Sequence, residues 1–259
     1  TPVRFEYEYD FHYNNLKKPE SEREKNKLTN FLQTVTAPAR LAGQILLVHE
    51  YVNQIQNPRQ AWTYNPGQRR VRLAPNVAYD NPGVAADGLR TNDDFTLFNG
   101  ATDRYDWKLL GKKEIYVPYN TYQLNSEKYK ISDVVRPGHV NPDLARYELH
   151  RVWVVDSTLK SGTSHIYSRR TFYVDEDSWN ILAVDKYDGR GQLWRVAEQH
   201  AMQFYDLPGI GPGIEVHHDL QSGRYLAMGI TNEESKVYQR VKRSSADFSP
   251  SGLRGAGTR

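Results

Sequence analysis

Two adjacent histidines followed by an aspartate, His217-His218-Asp219, have the donor types of a metal site. Imidazole and carboxylate side chains both bind zinc. Successive side chains of a β-strand point to opposite faces, so His217 and His218 cannot bind one ion from a strand unless a bulge intervenes. We therefore interpret the cluster as surface or paired histidines and predict no metal site.

Acid–base or nucleophilic catalysis requires a reactive side chain with a partner, and the remaining candidates have simpler interpretations. His49-Glu50 and His150 have no partner that the sequence reveals. Asp93-Asp94 fits the start of a helix, and Asp175-Glu176-Asp177 fits a hairpin turn. The glycines of Gly209–Gly213 precede no predicted helix, and no G-x-S-x-G motif occurs. We predict a protein that is not an enzyme and that has no cofactor.

Arginines lie two residues apart at Arg70 and Arg72, in a predicted strand, and therefore share a face. Two interpretations stay open: they pair with acids on neighbouring strands, or they contact an anionic head group or a partner protein. Nucleic acid is disfavoured, because aromatic residues alternate with acids as often as with arginines and the net charge is only +3.

The stretch Gln60–Pro75 predicts the β-hairpin that positions these arginines. Aromatic and small residues alternate in Ala61–Tyr64, and aliphatic residues and arginines alternate in Arg69–Leu73. The connection Asn65-Pro66-Gly67-Gln68 is typical of a turn, because proline fixes φ and glycine accepts a positive φ. One face is thus apolar and the other polar or cationic, as in a sheet with one solvated side.

The composition is that of a β-rich globular protein. The chain has 259 residues, 38% of them hydrophobic and 12% aromatic, with 18 tyrosines and no cysteine. This excludes disulfides and thiol catalysis, and no apolar run approaches the ~20 residues of a membrane-spanning helix. The start at Thr1-Pro2, without methionine, is interpreted as a processed or trimmed start, which is compatible with a removed export signal.

Alternation with a period of two recurs along the chain. Val3–Tyr13 places apolar and aromatic residues on one face, and Ile45-Leu46-Leu47-Val48 is apolar on both faces, as in a central strand. Tyr105–Gly111 and Lys113–Leu124 predict another hairpin. From Arg146 onward the chain predicts an antiparallel meander.

Two details concern proline. Pro118 would interrupt a central ladder, so its strand is expected at an edge or beside a bulge. Asn141-Pro142 resembles a helix N-cap followed by proline at the first helical position, which predicts a short helix there.

One long excursion, Asn76–Asp106, has little predicted regular structure. Within it, Thr91–Gly100 predicts a short capped helix, because Thr91 or Asn92 can accept backbone hydrogen bonds and acids occupy the first turn. Such a connection is either a lid or plug over a binding site or a loop packed on the sheet for stability, and both interpretations stay open.

The predicted fold is mainly β: a large curled antiparallel sheet that forms an incomplete, open β-barrel, with short helices and loops covering its concave face. We predict a single open-barrel domain over residues 1–239. A basic, Ser/Gly/Arg-rich tail, 240–259, is expected to be mobile unless it docks.

Four strings are long enough to be specific: AWTYNPGQRRVRLAP, VAYDNPG, DDFTLFNGATDRYDWKLLGKKEIYVPYN and RYELHRVWVVDSTLKSGTSHIYSRRTFYVDEDSWNILAVDKYDGRGQLWRV. They resemble a bacterial envelope family of unknown function, domain-of-unknown-function family 1329, which is described as outer-membrane lipoprotein-sorting-like. The meander also resembles the LolA/LolB superfamily, whose members wrap an incomplete barrel around short helices and carry lipoprotein acyl chains.

This resemblance implies a periplasmic protein made with an export signal and containing an apolar cavity. It also implies work beside envelope transporters of the resistance-nodulation-division type and outer-membrane proteins. It supplies no catalytic residue, and fold analogy does not identify the ligand.

We therefore predict a periplasmic carrier or chaperone that binds a hydrophobic ligand, such as a lipid or a lipoprotein acyl chain. The alternative is a non-catalytic adaptor that docks an envelope transporter or outer-membrane protein, with Arg70 and Arg72 as its contacts. The residues expected to line the cavity are Phe5, Tyr7, Tyr9, Leu46, Trp62, Tyr64, Phe95, Phe98, Trp107, Trp153, Phe172, Trp179 and Trp194.

Overall fold

The computed structural model describes residues 2–13, 26–74, 77, 79–205, 209–234 and 242–256. Contacts divide the chain into two compact units. The first comprises Thr1–Ala78 with Gln239–Arg259, and the second comprises Tyr79–Tyr238. This grouping differs from the domain boundaries predicted from the sequence, 1–239 and 240–259, which stay a prediction.

Five antiparallel strands form the sheet of the first unit, in the order β1-β2-β3-β4-β5. They are β1 (Arg4–Phe11), β2 (Lys27–Ala37), β3 (Ile45–Tyr51), β4 (Gln60–Asn65) and β5 (Arg70–Leu73). Each strand pairs in antiparallel orientation with the next one along the chain. β3 lies at the centre, as its apolar residues on both faces predict.

The predicted hairpin is confirmed as β4 and β5. Trp62 pairs with Leu73, so the aromatic and aliphatic side chains share a face. The side-chain oxygen of Asn65 accepts hydrogen bonds from the backbone N–H groups of Gly67 at 2.9 Å and Gln68 at 3.3 Å. This asparagine therefore closes the turn through its own side chain.

One face of the first sheet forms a core with the C-terminal segment. A 3₁₀ helix, Ser245–Phe248, and an α-helix, Pro250–Ala256, supply two buried side chains to it. The His49 Nε2 atom lies 2.8 Å from the carbonyl oxygen of Phe248. The core contains Leu32, Ile45, Leu47, Tyr64, Phe248 and Leu253.

The opposite face of this sheet carries a row of stacked aromatic rings along β1 and β2. Phe31 is buried, and its ring centroid lies 5.6 Å from that of Tyr7 and 5.2 Å from that of Tyr9. Tyr7 is 39% exposed and Tyr9 is 41% exposed. The alternation predicted for β1 is confirmed, but its aromatic face is half solvated.

Seven antiparallel strands form the main sheet of the second unit, in the order β14-β13-β12-β11-β10-β9-β6. Together with a two-stranded ribbon they are β6 (Tyr105–Pro118), β7 (Val135–Arg136), β8 (His139–Val140), β9 (Tyr147–Leu159), β10 (Arg169–Asp175), β11 (Ile181–Tyr187), β12 (Leu193–Phe204), β13 (Gly209–Asp219) and β14 (Arg224–Met228). Among the described residues the end strands β6 and β14 do not pair, so the sheet is open. The predicted fold class, a mainly β protein with open, curled antiparallel sheets, is confirmed.

The predicted hairpin over Tyr105–Gly111 and Lys113–Leu124 is wrong. Tyr105–Pro118 is one long strand, β6, which pairs with β9 throughout and shifts register between Leu109 and Gly111, and the residues from 119 to 124 are not in a strand. Gly111 adopts φ 109°, and this glycine lies in a β-bulge within the strand rather than in a turn. The strand lies at the edge of the sheet, as Pro118 at its end predicts.

The short helix predicted at Asn141-Pro142 is also not formed. These residues begin a turn, in which the backbone N–H of Leu144 donates to the carbonyl of Asn141 at 3.2 Å. The short helix of this region lies earlier, at Ile131–Val134.

The two faces of the seven-stranded sheet are called face A and face B. Face A carries Phe172, Val184 and Ala197, which are register partners on β10, β11 and β12. Face B carries Val154 and Tyr173, the partners on β9 and β10 that point the other way. Both faces are apolar near the middle of the sheet, so each has a cluster of its own.

Different segments cover the two faces. Residues 79–104, called the cover segment, place Leu97 in the apolar cluster of face A. Residues 124–144 place Leu124, Val134 and Leu144 against Ile214 of face B. No helix of the described part of the chain has the length and apolarity needed to cross a membrane.

We predict that Leu253→Ala lowers the free energy of unfolding by about 2–5 kcal/mol, because it leaves a cavity in the core of the first unit. Urea denaturation measures the change. Leu73→Ala, at an edge-strand leucine that is 62% exposed, is the matched control and should change stability by less than about 0.5 kcal/mol. Equal losses for the two variants would contradict packing of the C-terminal helix.

Candidate functional site

The cover segment lies on face A through a kinked 3₁₀ helix, Asn92–Leu97. Acids in its first turn confirm the predicted helix start, and the Asp94 carboxylate accepts the backbone N–H of Thr91 at 3.4 Å. Thr96 and Leu97 adopt φ values of 53° and 65°. This left-handed turn directs Leu97, which is fully buried, into the apolar cluster of face A.

Two buried ion pairs attach this helix to the sheet. Arg170 Nη1 lies 2.9 Å from Asp93 Oδ2, and Lys186 Nζ lies 2.9 Å from Asp94 Oδ2. His165 Nε2 lies 3.0 Å from the same oxygen of Asp93. The side chains of Arg170, Lys186 and Asp94 are fully buried. The cationic partners of both acids, Arg170 and Lys186, therefore lie on face A.

A second group of bonds continues from Asp94 toward β13. The hydroxyl of Tyr167 donates to Asp94 Oδ2 at 2.9 Å and accepts from Arg195 Nη1 at 3.1 Å. Arg195 also donates to the carbonyl oxygen of Gly88 at 2.8 Å and pairs with Asp219 at 3.2 Å. Arg195 thus joins two strands to the cover segment.

A third attachment comes from β13. The Glu215 carboxylate accepts the backbone N–H of Thr96 at 3.0 Å and lies 2.6 Å from His217 Nε2. His217 Nδ1 lies 3.4 Å from Lys186 Nζ. The cover segment is therefore held by polar contacts at Gly88, Asp93, Asp94 and Thr96.

Opposite charges decide the ionisation of the buried acids. Burial alone would raise the pKa of Asp93, but Arg170 and His165 hold that pKa well below its usual range. Burial also opposes ionisation of Asp94, but Lys186, with smaller contributions from His217 and Arg170, lowers its pKa. Both carboxylates are therefore ionised at neutral pH, and their contacts are charge-assisted.

Aromatic rings surround the guanidinium of Arg170. Its central carbon lies 4.5 Å from the ring centroid of Tyr105 and 5.0 Å from that of Phe98. The Phe98 ring in turn lies 5.4 Å from both Trp107 and Phe172. Three of the residues predicted to line a cavity, Phe98, Trp107 and Phe172, are thus brought together on face A.

The other predicted cavity residues of the second unit are more dispersed. Trp153 lies on face A and is the register partner of Val174, and Trp194 donates to Asp219 at 3.0 Å. Phe95 lies beneath the guanidinium of Arg90. Trp179 is 70% exposed in the β10–β11 turn.

The predicted cavity residues of the first unit occupy both faces of its sheet. Phe5, Tyr7, Tyr9 and Leu46 lie on the half-solvated face, as the registers of β1, β2 and β3 show. Trp62 and Tyr64 lie on the face that packs against the C-terminal helices. Alternation predicts which face of a sheet each residue occupies, but it does not predict that residues from different strands line one cavity. The predicted cavity as a set stays a prediction.

Arg70 and Arg72 are exposed on β5, an edge strand, and share a face. Within the described part of the chain, no acid forms an ion pair with either of them. The structure therefore gives no support to the interpretation that neighbouring strands neutralise them.

The buried ion network is what sequence reasoning missed. His217 and His218 point to opposite faces, as predicted, and His217 is paired with Glu215. The available signal was a lysine, Lys186, and an arginine, Arg170, at face positions otherwise occupied by apolar residues. Buried cations on a strand require buried acids elsewhere.

One group among the described residues has metal-ligand spacing: His150, Asp175 and Asp177 each place a donor atom within 4.8 Å of the others. Asp175 accepts hydrogen bonds from His150 Nδ1 at 2.8 Å and from the Ser178 hydroxyl at 2.6 Å. These bonds account for the position of Asp175 in the turn without an ion. The absence of a metal site stays a prediction.

Comparison with known sequences places the chain beside proteins without an assigned function. A family model described as "Protein of unknown function (DUF1329)" matches residues 1–254. PA3922 of Pseudomonas aeruginosa, described as uncharacterized, is 57% identical over 246 residues. The match covers 95% of this chain and 54% of PA3922, so the chain spans about half the length of that relative.

Two solved structures share the fold. An outer membrane lipoprotein-sorting protein domain from Vibrio parahaemolyticus gives a TM-score of 0.58 at 15% identity, over 90% of this chain and 80% of that one. A DUF1329 family protein from Desulfovibrio piger gives a TM-score of 0.57 at 18% identity, over 88% and 78%. At these identities the likeness shows the fold alone.

We predict that Asp94→Asn destabilises the protein by about 3–5 kcal/mol at pH 7, because it leaves Lys186 buried without its counter-charge. The depressed pKa of Asp94 in the folded state makes its contribution complete above the unfolded value of about 3.9. The difference between wild type and variant should therefore shrink as the pH falls below about 4. Denaturation at several pH values measures it.

Asp87→Asn is the matched control, because Asp87 lies on the same cover segment and forms an exposed ion pair with Arg224. Asp87→Asn should lower the free energy of unfolding far less than Asp94→Asn does, since solvent screens the exposed pair. Two results would contradict an ionised Asp94 paired with Lys186. One is a loss of stability for Asp94→Asn no larger than that for Asp87→Asn, and the other is a loss that does not change with pH down to pH 2.

Proposed function

The chain belongs to the DUF1329 family of proteins of unknown function, and on that premise we propose that it carries a hydrophobic ligand in the bacterial envelope. The fold shared with a lipoprotein-sorting domain supports this as an analogy between folds. The ligand class proposed is a lipid or a lipoprotein acyl chain, and no catalytic step is needed.

The apolar strip beneath the cover segment is the observation that carries the proposal. Its side chains come from four neighbouring strands, and the cover segment contributes Leu97 and Phe98 to the same cluster. The strip consists of Val155, Phe172, Val174, Ile181, Val184 and Ala197. An acyl chain that displaced Leu97 and Phe98 would meet a continuous apolar wall of aliphatic and aromatic side chains.

The cover segment would act as the lid. It contains little regular structure and is not a strand of the seven-stranded sheet, so it can leave the strip without breaking a strand ladder. Burying an acyl chain contributes ~0.8 kcal/mol of favourable free energy per CH₂. For a whole chain this is on the order of 10 kcal/mol, before the entropy costs of ordering the chain and of losing its translational freedom are subtracted. That gain is available to offset the loss of the buried ion pairs between the cover segment and face A.

The location proposed for this activity is the periplasm. It rests on the family resemblance and on the lipoprotein-sorting description of the structural neighbour. An envelope transporter of the resistance-nodulation-division type or an outer-membrane protein is the proposed donor or acceptor of the ligand.

Carriage predicts an affinity that depends on chain length. For saturated fatty alcohols of increasing length, the dissociation constant should fall by about fourfold per CH₂, since each is worth ~0.8 kcal/mol. Competition with a fluorescent fatty acid measures it. Ala197→Leu places a larger side chain in the apolar strip and should weaken the binding of fatty alcohols of every chain length.

Ala227→Leu is the matched control for this series, because Ala227 belongs to the apolar cluster of face B. It should leave the affinities unchanged. Binding that is not saturable, or that is independent of chain length, would contradict carriage. So would the absence of any lipid, by native mass spectrometry, in protein purified from its host.

A second candidate function is a non-catalytic adaptor, favoured by two exposed arginines on an edge strand. We predict that Arg70→Glu with Arg72→Glu abolishes co-purification of a resistance-nodulation-division transporter from solubilised host membranes, because the charge reversal repels an acidic partner surface. Quantitative mass spectrometry of the captured proteins measures it.

Lys108→Glu with Lys113→Glu is the control for the adaptor test. Both lysines are exposed on β6, the edge strand of the other sheet. Capture that survives reversal of the arginines, or that is lost equally with the lysines, would remove the adaptor interpretation.

A further inference from the structure

A pocket of about 310 Å³ opens on face B, away from the cover segment. This volume is at the lower end of the range of small-molecule sites. Its walls come from β8, the turn after it, and the strands β9, β12 and β13. The lining residues are His139, Val140, Pro142, Ala145, Tyr147, Glu198 and His218.

Glu198 is the one acid of this pocket, and it has no counter-cation among the described residues. The hydroxyl of Tyr147 lies 3.2 Å from both of its carboxylate oxygens and can donate to one of them. Burial raises the pKa of Glu198, and the hydrogen bond from Tyr147 opposes that rise. At least one carboxylate oxygen is thus left with unused acceptor capacity.

Two histidines, His139 and His218, line the pocket beside Glu198. His139 Nδ1 lies 2.8 Å from the carbonyl oxygen of Val140, which can only accept, so Nδ1 carries a proton; in the neutral tautomer Nε2 is then an acceptor. Burial, with His139 nearby, lowers the pKa of His218. No lysine or arginine lines the pocket, so a cation that enters it meets no repelling ammonium or guanidinium group. A cation beside Glu198 would favour the ionised carboxylate, which burial alone disfavours.

A third imidazole, His200, is outside the lining and packs against Tyr147 at the edge of the pocket. His200 is fully buried on face B, two residues along β12 from Glu198, and neither of its ring nitrogens has a hydrogen-bond partner in the described part of the chain. Its ring lies edge-on to Tyr147, with centroids 6.1 Å apart. Burial, with a contribution from His218, lowers the pKa of His200 to about 4, so it is neutral.

From this arrangement we propose that the pocket binds a small organic ammonium ion, with the ammonium group donating to Glu198. The carboxylate supplies the charge, and the imidazole of His218, whose pKa is lowered, supplies a further acceptor. Tyr147 and His218 present aromatic rings, Val140, Pro142 and Ala145 cover an apolar body, and cation–π contact favours a cation beside Tyr147.

Other ligand classes fit the pocket less well. An anion would face Glu198 without any lysine or arginine in the lining. A single metal ion would require donor atoms that converge, and the metal-like group among the described residues is the turn at His150 instead. The lining favours a molecule with one cationic end and an apolar remainder.

Isothermal titration with three probes of equal size tests the proposal: benzylammonium, benzyl alcohol and benzoate. The intact chain at pH 7 should bind benzylammonium saturably, at least tenfold more tightly than the alcohol, and should not bind benzoate. Glu198→Gln should weaken benzylammonium binding at least tenfold while leaving the alcohol unchanged. Glu114→Gln, at an exposed acid on β6, is the control and should have no effect.

Equal affinities for the ammonium and the alcohol, no saturable binding of benzylammonium, or normal binding by Glu198→Gln would each overturn the proposal. If Glu198→Gln does not fold, Ala145→Leu decides, because it narrows the pocket and leaves the carboxylate in place. Loss of benzylammonium binding in that variant supports the site, and unchanged binding overturns it. Fatty-alcohol affinity, measured in parallel, reports on face A separately.

Discussion

Ionised acids buried against cations are the constraint on which the second unit depends. Asp93 and Asp94 leave water only because Arg170 and Lys186 meet them on face A. An unpaired charge in that position would cost several kcal/mol, so few other placements of the segment are tolerable. The network therefore gives a segment with little regular structure one defined position on the sheet.

Apolar and polar contacts have different effects on this face. The cluster around Leu97 and Phe172 supplies burial, which is favourable in many geometries because the hydrophobic effect has no direction. The bonds from Glu215 and Arg195 to backbone atoms of the cover segment are directional and select one geometry. A lid needs both properties: an underside that a hydrophobic ligand can replace, and a closed position to which it returns.

Much of the architecture follows from local pattern. Alternation identified β1, the β4–β5 hairpin and the meander, because the side-chain period of a strand is independent of its neighbours. A short run that is apolar on both faces identified β3. The β6 hairpin was mispredicted because a glycine with positive φ serves a bulge as well as a turn, and only pairing with β9 distinguishes them. The cavity residues were dispersed for a similar reason, since Trp62 and Tyr9 lie on opposite faces of one sheet.

The amino-acid sequence by itself determined the β class, the faces of most strands and the acidic start of the helix at Asn92, since each depends on residues close in the chain. Only the tertiary structure decided that Asp93 and Asp94 meet Arg170 and Lys186, and that Glu198 shares a pocket with His139 and His218. Those groups are far apart along the chain, and the strand order and register bring them together. Their ionisation and partners depend on burial and distance, which alternation along a chain does not contain.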